Sequence, residues 1–176
     1  RIRRGDACAA GLATHSVDAG SLTALTEALC DADNVDGTLS SFGVAAEPEL
    51  NEGIRHAIAR HFSFESLAEI LESLSEDQDD WARQTLATIE KRSPTSLCVA
   101  FRQLRAGAML EMDECMTMEF RILNRMLAGH DFYEGIRAVL VEKGSTPRWQ
   151  PETLDEISED HINAYFAPLT GGELSL

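Results

Sequence analysis

Ser93-Pro94-Thr95-Ser96-Leu97-Cys98-Val99-Ala100-Phe101-Arg102-Gln103-Leu104, followed after a short break by Glu111-Met112-Asp113-Glu114-Cys115-Met116-Thr117-Met118-Glu119-Phe120-Arg121-Ile122-Leu123-Asn124-Arg125-Met126-Leu127-Ala128-Gly129, is the stretch that decides the fold. Ser93 can accept from the free amides of a first helical turn, and Pro94 fits that turn because it has no N–H to leave unpaired. Leu97, Phe101, Leu104 and Ala108 recur behind them at helical spacing. Over 111–128, Met112, Cys115, Met116, Phe120, Leu123 and Met126 make a second apolar stripe, and Gly129 ends it. Two successive amphipathic helices of this length predict a mainly α chain.

The flanks repeat the pattern. Downstream, Asp131 reads as a helix cap with Glu134 completing a capping box, and Phe132, Ile136, Val139 and Leu140 form the stripe. Pro147 and Pro151 make 146–151 an extended linker, since proline biases its predecessor away from helix. A last short helix spans 158–166, and Gly171-Gly172 opens a frayed tail. Upstream, Ser75 with Gln78 reads as the capping box of a helix burying Trp81, Thr85, Leu86 and Ile89. Ser63 caps a helix whose face is Leu67, Ile70, Leu71 and Leu74. Residues 50–61 carry Ile54 and Ile58 four apart.

Nearer the N-terminus the helical signal weakens. Asp33, Asp36, Gly37, Ser40, Ser41, Gly43 and Pro48 make 31–48 a loop or linker. Residues 18–29 form a helix on Leu22, Leu25 and Leu29, and 5–10 a short one stopped by Gly11. Between them, 12–17 reads as a short extended segment, so at most one or two short strands are expected near these residues. A strand there needs a partner edge from elsewhere. The expected divisions are 1–30, a linker at 31–50, and a helical domain at 51–176.

Composition narrows the function classes. The chain has 176 residues, enough for one domain with a hydrophobic core, and 15 basic against 30 acidic residues give a net charge of −15. Such a surface repels phosphate backbones and argues against nucleic acid. No apolar run reaches bilayer length, so no membrane role is expected. Arg1-Ile2-Arg3-Arg4 is basic but no hydrophobic stretch follows, unlike a signal peptide. The absence of an initial Met reads as a fragment or a processed product. Cys8, Cys30, Cys98 and Cys115 form no CxxC pair and read as free thiols. His56 and His61 lie five apart, on different helix faces, so no metal site is expected.

Residue chemistry offers few site candidates. Met109, Met112, Met116, Met118 and Met126 fall in one stretch, which suits core first and a flexible acyl tunnel second. Asp131 and Glu134 are paired carboxylates, as acid–base chemistry uses, but capping fits them better because Gly129 has just ended a helix. Arg137, Lys143 and Arg148 are the local basic group near the linker. Lys143-Gly144 fits a phosphate contact and a solvated helix end equally well. The run Glu72, Glu76, Asp77, Asp79 and Asp80 reads as a solvated face and loop. There is no GxSxG elbow, phosphate-binding glycine loop or HExxH.

Longer motifs carry a resemblance. Ser93-Pro94-Thr95-Ser96-Leu97 with Arg102-Gln103-Leu104, Thr117-Met118-Glu119-Phe120-Arg121, the block Gly129-His130-Asp131-Phe132-Tyr133-Glu134-Gly135-Ile136-Arg137-Ala138-Val139-Leu140, and Pro147-Arg148-Trp149 are similar to the 3-hydroxyisobutyryl-CoA hydrolases of the crotonase superfamily. Gly11-Leu12-Ala13-Thr14-His15 resembles the segment closing that family's catalytic core. The likeness runs along nearly the whole chain and is weakest over 31–48.

That resemblance implies the C-terminal helical region of a crotonase-like fold and hydrolysis of an acyl-CoA thioester in valine catabolism. It places the oxyanion hole and acidic catalytic residues upstream, so no catalytic residue is assigned here. Coenzyme A enters as part of the substrate, with no other cofactor. Lys143 and Phe132 are the implied contacts to it. Cys98 departs from the family by standing where a basic residue is common. Implied partners are the acyl-CoA, an upstream crotonase core and a possible second subunit. The implied compartment is the cytoplasm in a bacterium and the mitochondrial matrix in a eukaryote. Two other functions remain open: an enoyl-CoA hydratase or isomerase of the same superfamily, and a stand-alone helical interaction module without activity.

Overall fold

A computed structural model describes residues 2–175; Arg1 of the basic opening and Leu176 lie outside the described residues. The helices are α1 (Arg4–Ala9), α2 (Leu22–Cys30), α3 (Val35–Phe42), α4 (Glu52–His61), α5 (Leu67–Glu76), α6 (Asp80–Ile89), α7 (Pro94–Gly107), α8 (Met112–Ala128), α9 (His130–Ile136) and α10 (Glu159–Phe166). A π turn at Arg137–Val141 follows α9 directly. Among the described residues there is no strand, so the fold class is mainly α. The chain forms two compact units, one through Arg60 and one from His61 onward, rather than one domain around one core.

In the first unit, α1 is tied to a distant loop. Asp6 is buried, and its Oδ1 accepts from the amides of Glu49 and Leu50, both at 2.8 Å. The Leu50 amide above all holds its carboxyl below the usual range. Gly5 lets the backbones touch: a Cβ there would lie 1.9 Å from the Glu47 carbonyl oxygen. Gly11, at φ 71°, turns the chain out of α1. Residues 12–17 are not a strand; their contact to a distant part of the chain runs from Val44 N–H to the Ser16 carbonyl at 2.8 Å.

The segment expected to be loop over 31–48 contains α3. Gly37, Ser40 and Ser41 are weak helix formers. The Asn34 side chain caps the helix by accepting from the Gly37 amide at 2.9 Å, and α3 packs against α2.

The second unit holds two apolar clusters. Ile70, Leu74 and Ala82 pack between α5 and α6, flanked by Trp81, Leu86, Ile89 and Phe101. The cap of α5 is Ser66, in a capping box with Glu69, and not Ser63. The α6 cap is Asp79, and not Ser75, because α5 runs on to Glu76. His61 is buried beside them, its Nδ1 2.8 Å from Ser73 Oγ and its Nε2 3.0 Å from Asp77. Asp77 is therefore a bonded group within the acidic run rather than a solvated one.

The other cluster, Val99, Met118, Ile122 and Ile162, joins α7, α8 and α10. Ser93 and Pro94 begin α7 as expected. Its buried side, however, is Thr95 and Val99, while Leu104 is 77% exposed. On α8 the core takes Met118 and Ile122, whereas Met112, Met116 and Leu123 of the expected stripe are 72%, 41% and 51% exposed. Residues 116 and 118 lie roughly 200° apart around a helix, so these are opposite faces. The expected stripe of α9 is likewise outside: Phe132, Ile136, Val139 and Leu140 are exposed, and Ala138 is buried instead. The methionines divide accordingly. Met118 is core, Met126 half-buried, and Met109, Met112 and Met116 are exposed.

Candidate functional site

The residues singled out in sequence gather at the α8–α9 junction and the segment after it. Phe132 lies on the first turn of α9, 37% exposed, with its ring edge-on to Tyr133 at 5.3 Å. It lines a groove of about 560 Å³ with Met116, Phe120, Leu123, Met126 and Leu174. The groove is apolar, and Gln103 and Glu119 are its polar members. A flexible chain with few polar groups suits such a surface.

Lys143 lies outside that groove, exposed in the turn after the π segment. The turn closes with Ser145 N–H donating to the Glu142 carbonyl at 2.9 Å, and Gly144 at φ 88° makes it. No ion pair holds the Lys143 ammonium among the described residues. Phe132 and Lys143 thus belong to one continuous segment, one presenting an apolar ring and the other a cation.

Arg137 and Arg148 do not join Lys143 as a basic group. Arg137 donates from Nε and Nη2 to Glu134 at 2.8 and 2.6 Å and also bonds Glu142, so its charge is neutralised locally. Arg148 contributes its backbone amide to Glu134 at 2.7 Å. The Glu134 carboxyl is lowered to about 2, first by Arg137 and then by the Arg148 amide. A carboxylate held ionised so firmly makes a poor proton shuttle near neutral pH.

The capping reading of the pair also fails. Gly129 is the residue before α9, and Asp131 caps nothing there. Asp131 accepts from the Ser93 hydroxyl at 2.5 Å and the Gln150 amide at 2.8 Å. Together Asp131 and Glu134 clamp the 146–151 linker against α9. Trp149 completes the clamp, packing over Gly135 and donating from Nε1 to the Lys91 carbonyl at 3.1 Å. The signal was the three-residue spacing of the two acids on one helix face, but their partners lie too far along the chain to read from spacing.

The tail is not frayed. Glu173 accepts from Arg121 Nε at 2.6 Å and from the Leu169 amide at 2.6 Å, which brings Leu174 to the groove beside Phe132. The Leu169 amide first, with Arg121 behind it, lowers the Glu173 carboxyl. Cys8, Cys98 and Cys115 are half-buried free thiols, Cys30 is an exposed one, and burial pushes Cys98 up. No group of acids, thiols and imidazoles among the described residues could hold a metal ion. Among the described residues no helix is long and apolar enough to cross a membrane.

The sequence profile of the enoyl-CoA hydratase/isomerase family matches residues 1–166. The chain is 35% identical to the mitochondrial 3-hydroxyisobutyryl-CoA hydrolase of Gallus gallus, over 100% of this chain and 48% of that protein. It is 34% identical to the Homo sapiens protein of the same name, over 99% of this chain and 48% of that one. Among solved structures, a carnitinyl-CoA dehydratase from Mycobacterium thermoresistibile superposes with a TM-score of 0.81 at 31% identity, covering 96% of this chain and 48% of that one. The chain spans about half the length of these relatives, the C-terminal half. With these motifs, this helical unit and this extent of match, the chain belongs to the enoyl-CoA hydratase/isomerase family.

Proposed function

We propose that this chain is the C-terminal part of an acyl-CoA thioester hydrolase acting on 3-hydroxyisobutyryl-CoA, a step of valine catabolism. The observation that carries the reading is the doubled apolarity of α8. Met118 and Ile122 pack inward, while Met112, Met116 and Leu123 face outward with Leu104 of α7. A helix apolar on both sides expects a partner on each. The occupant proposed for the outer side is the preceding half of the crotonase-type protein, which would hold the acyl-CoA and the catalytic acids. Oriented backbone amides there would stabilise the thioester oxyanion.

The helical unit would then cover the ligand rather than transform it. Phe132 and Lys143 would meet coenzyme A, the ring against its apolar portion and the ammonium against a phosphate. Coenzyme A comes as part of the substrate. Contact with a second subunit belongs to the same proposal. The eukaryotic relatives are mitochondrial by name, and a eukaryotic source would place this protein in the matrix.

The runner-up is hydration or isomerisation of an enoyl-CoA, favoured by the likeness to the dehydratase structure. One pair of assays separates the two. The intact protein is given 3-hydroxyisobutyryl-CoA with a thiol reagent, and separately a 2-enoyl-CoA followed by loss of its conjugated absorbance. Release of the free thiol without enoyl consumption is the expected result. Enoyl consumption without thiol release supports the runner-up, and inertness toward both overturns the enzymatic reading.

A further inference from the structure

A second, smaller cavity of about 110 Å³ lies where the start of α7, the α8–α9 junction, the linker and α10 meet. Thr95, Asp131, Gln150, His161 and Tyr165 line it with Met126. Thr95 is 3% exposed, and its hydroxyl has no hydrogen-bond partner among the described residues. A buried hydroxyl left unpaired carries its full desolvation cost, so a native fold rarely keeps one without a partner.

The lining is balanced in its hydrogen-bonding capacity. Asp131 Oδ2 accepts one bond, from Ser93, and has a lone pair to spare. The Tyr165 phenol is pushed up by burial first and by the Asp131 charge second, so it remains protonated and can donate. His161 packs against Tyr165 with ring centroids 5.7 Å apart and offers one donor and one acceptor when neutral. The carboxylate repels an anion, and the volume is too small for a chain. It suffices for several water molecules, each of which needs about 10–15 Å³.

We propose that this cavity is a built water site, in which ordered water bonds the Thr95 hydroxyl and links it to Asp131 and to the His161–Tyr165 edge of α10. The water acts as structure: it joins the terminal helix to the start of α7 and to the carboxylate that clamps the linker. The cavity adjoins the groove, sharing Met126 and Phe132 with it, but the water site does not depend on the reaction proposed above.

A crystal structure of the intact protein tests it directly. A solvent peak within about 3.2 Å of Thr95 Oγ1, also contacting Asp131 or Tyr165, is expected; a dry hydroxyl overturns the proposal. Thr95→Val and Thr95→Ser supply a second test through the sign of the change. If water satisfies the hydroxyl, Thr95→Val lowers the unfolding midpoint and removes the peak, while Thr95→Ser keeps both. If Thr95→Val unfolds at or above the unsubstituted protein, the hydroxyl was unpaired and the water site is wrong.

Discussion

Glu134 on α9 accepts the backbone amide of Arg148 through Oε1 at 2.7 Å, fourteen residues further along the chain. The same oxygen takes Arg137 Nη2 at 2.6 Å, so one carboxylate fixes both the helix and the returning linker. Glu134→Gln leaves the shape nearly unchanged but removes the charge. It should lower the unfolding midpoint and speed hydrogen exchange at the Arg148 amide while leaving the Val99 amide protected. Equal exchange at Arg148 in both proteins would contradict the clamp.

The pH dependence of that clamp has a definite sign. Glu134 titrates at about 2 in the folded chain and near its ordinary value of 4.5 unfolded. Between those values the unfolded state binds more protons, so stability falls as pH falls. The contribution is fully present above 4.5 and lost on acidification toward about 2. Asp6 and Glu173 are shifted in the same direction and add to the slope. Glu134→Gln should flatten the stability profile in this acid window and leave its slope unchanged above it. Urea unfolding at a series of pH values reads both.

The two faces of α8 can be told apart by substitution. Ile122 is 7% exposed in the inner cluster, and Ile122→Ala should cost about 2–5 kcal/mol through the lost packing and the cavity. Leu123 lies about 100° further round the helix and is half-exposed in this chain. A surface change ordinarily lies within about 0.5 kcal/mol. In the intact protein Leu123→Asp should exceed that clearly, because the proposed upstream half covers it. A Leu123→Asp protein as stable as its parent would leave the outer face without an occupant.

The same contrast shows how far the sequence carries the fold. Helical periodicity located α7, α8, α9 and α10, and Ser93-Pro94 marked the start of α7. Periodicity also selects the bulkiest apolar stripe as the buried one. Here the bulky stripe, Met112, Met116 and Leu123, faces outward, while Val99, Met118 and Ile122 form the core. A helix that serves two interfaces has no single inside, and a one-dimensional pattern does not rank them. The α3 helix was hidden because its residues are weak helix formers, supported by the Asn34 cap and by packing against α2. Phe132 was singled out through motif likeness, and Lys143 through that likeness and its place beside Gly144. Asp131 and Glu134 stood out as a pair, but their partners Ser93, Arg148 and Gln150 come from other segments, which local spacing does not reveal.

Lys143 and Phe132 should act on binding and not on turnover. Lys143→Gln removes an exposed cation, and such contacts are worth about 0.5–1 kcal/mol. The KM for acyl-CoA should rise roughly two- to fivefold with kcat unchanged. Phe132→Ala should move KM in the same direction. A fall in kcat at unchanged KM would assign these residues to the chemistry and displace the covering role.

Gly5 tests the first unit by sterics. Its Cβ position lies 1.9 Å from the Glu47 carbonyl oxygen and 2.6 Å from the carbonyl carbon, which are backbone atoms with little freedom to yield. Gly5→Ala must push α1 away from the 47–50 segment, whose amides bind Asp6. Overpacking of this kind costs about 1–3 kcal/mol. The loss should be largely non-additive with Asp6→Asn, because both break the same attachment. Full additivity in a double-mutant unfolding cycle would show that the two contacts are independent.

The tail gives the last test. Glu173 is gripped by Arg121 from α8 and by the Leu169 amide, and this holds Leu174 at the groove that Phe132 lines. Arg121→Gln should release the segment, seen as faster exchange at the Leu169 amide and faster proteolysis after Phe166. Acidification should do the same to the unsubstituted protein, because the lowered Glu173 carboxyl contributes only while it is ionised. Arg121→Gln should therefore weaken the effect of acid on Leu169 exchange. If exchange at Leu169 responds to neither the substitution nor acid, the tail is held by something other than this ion pair.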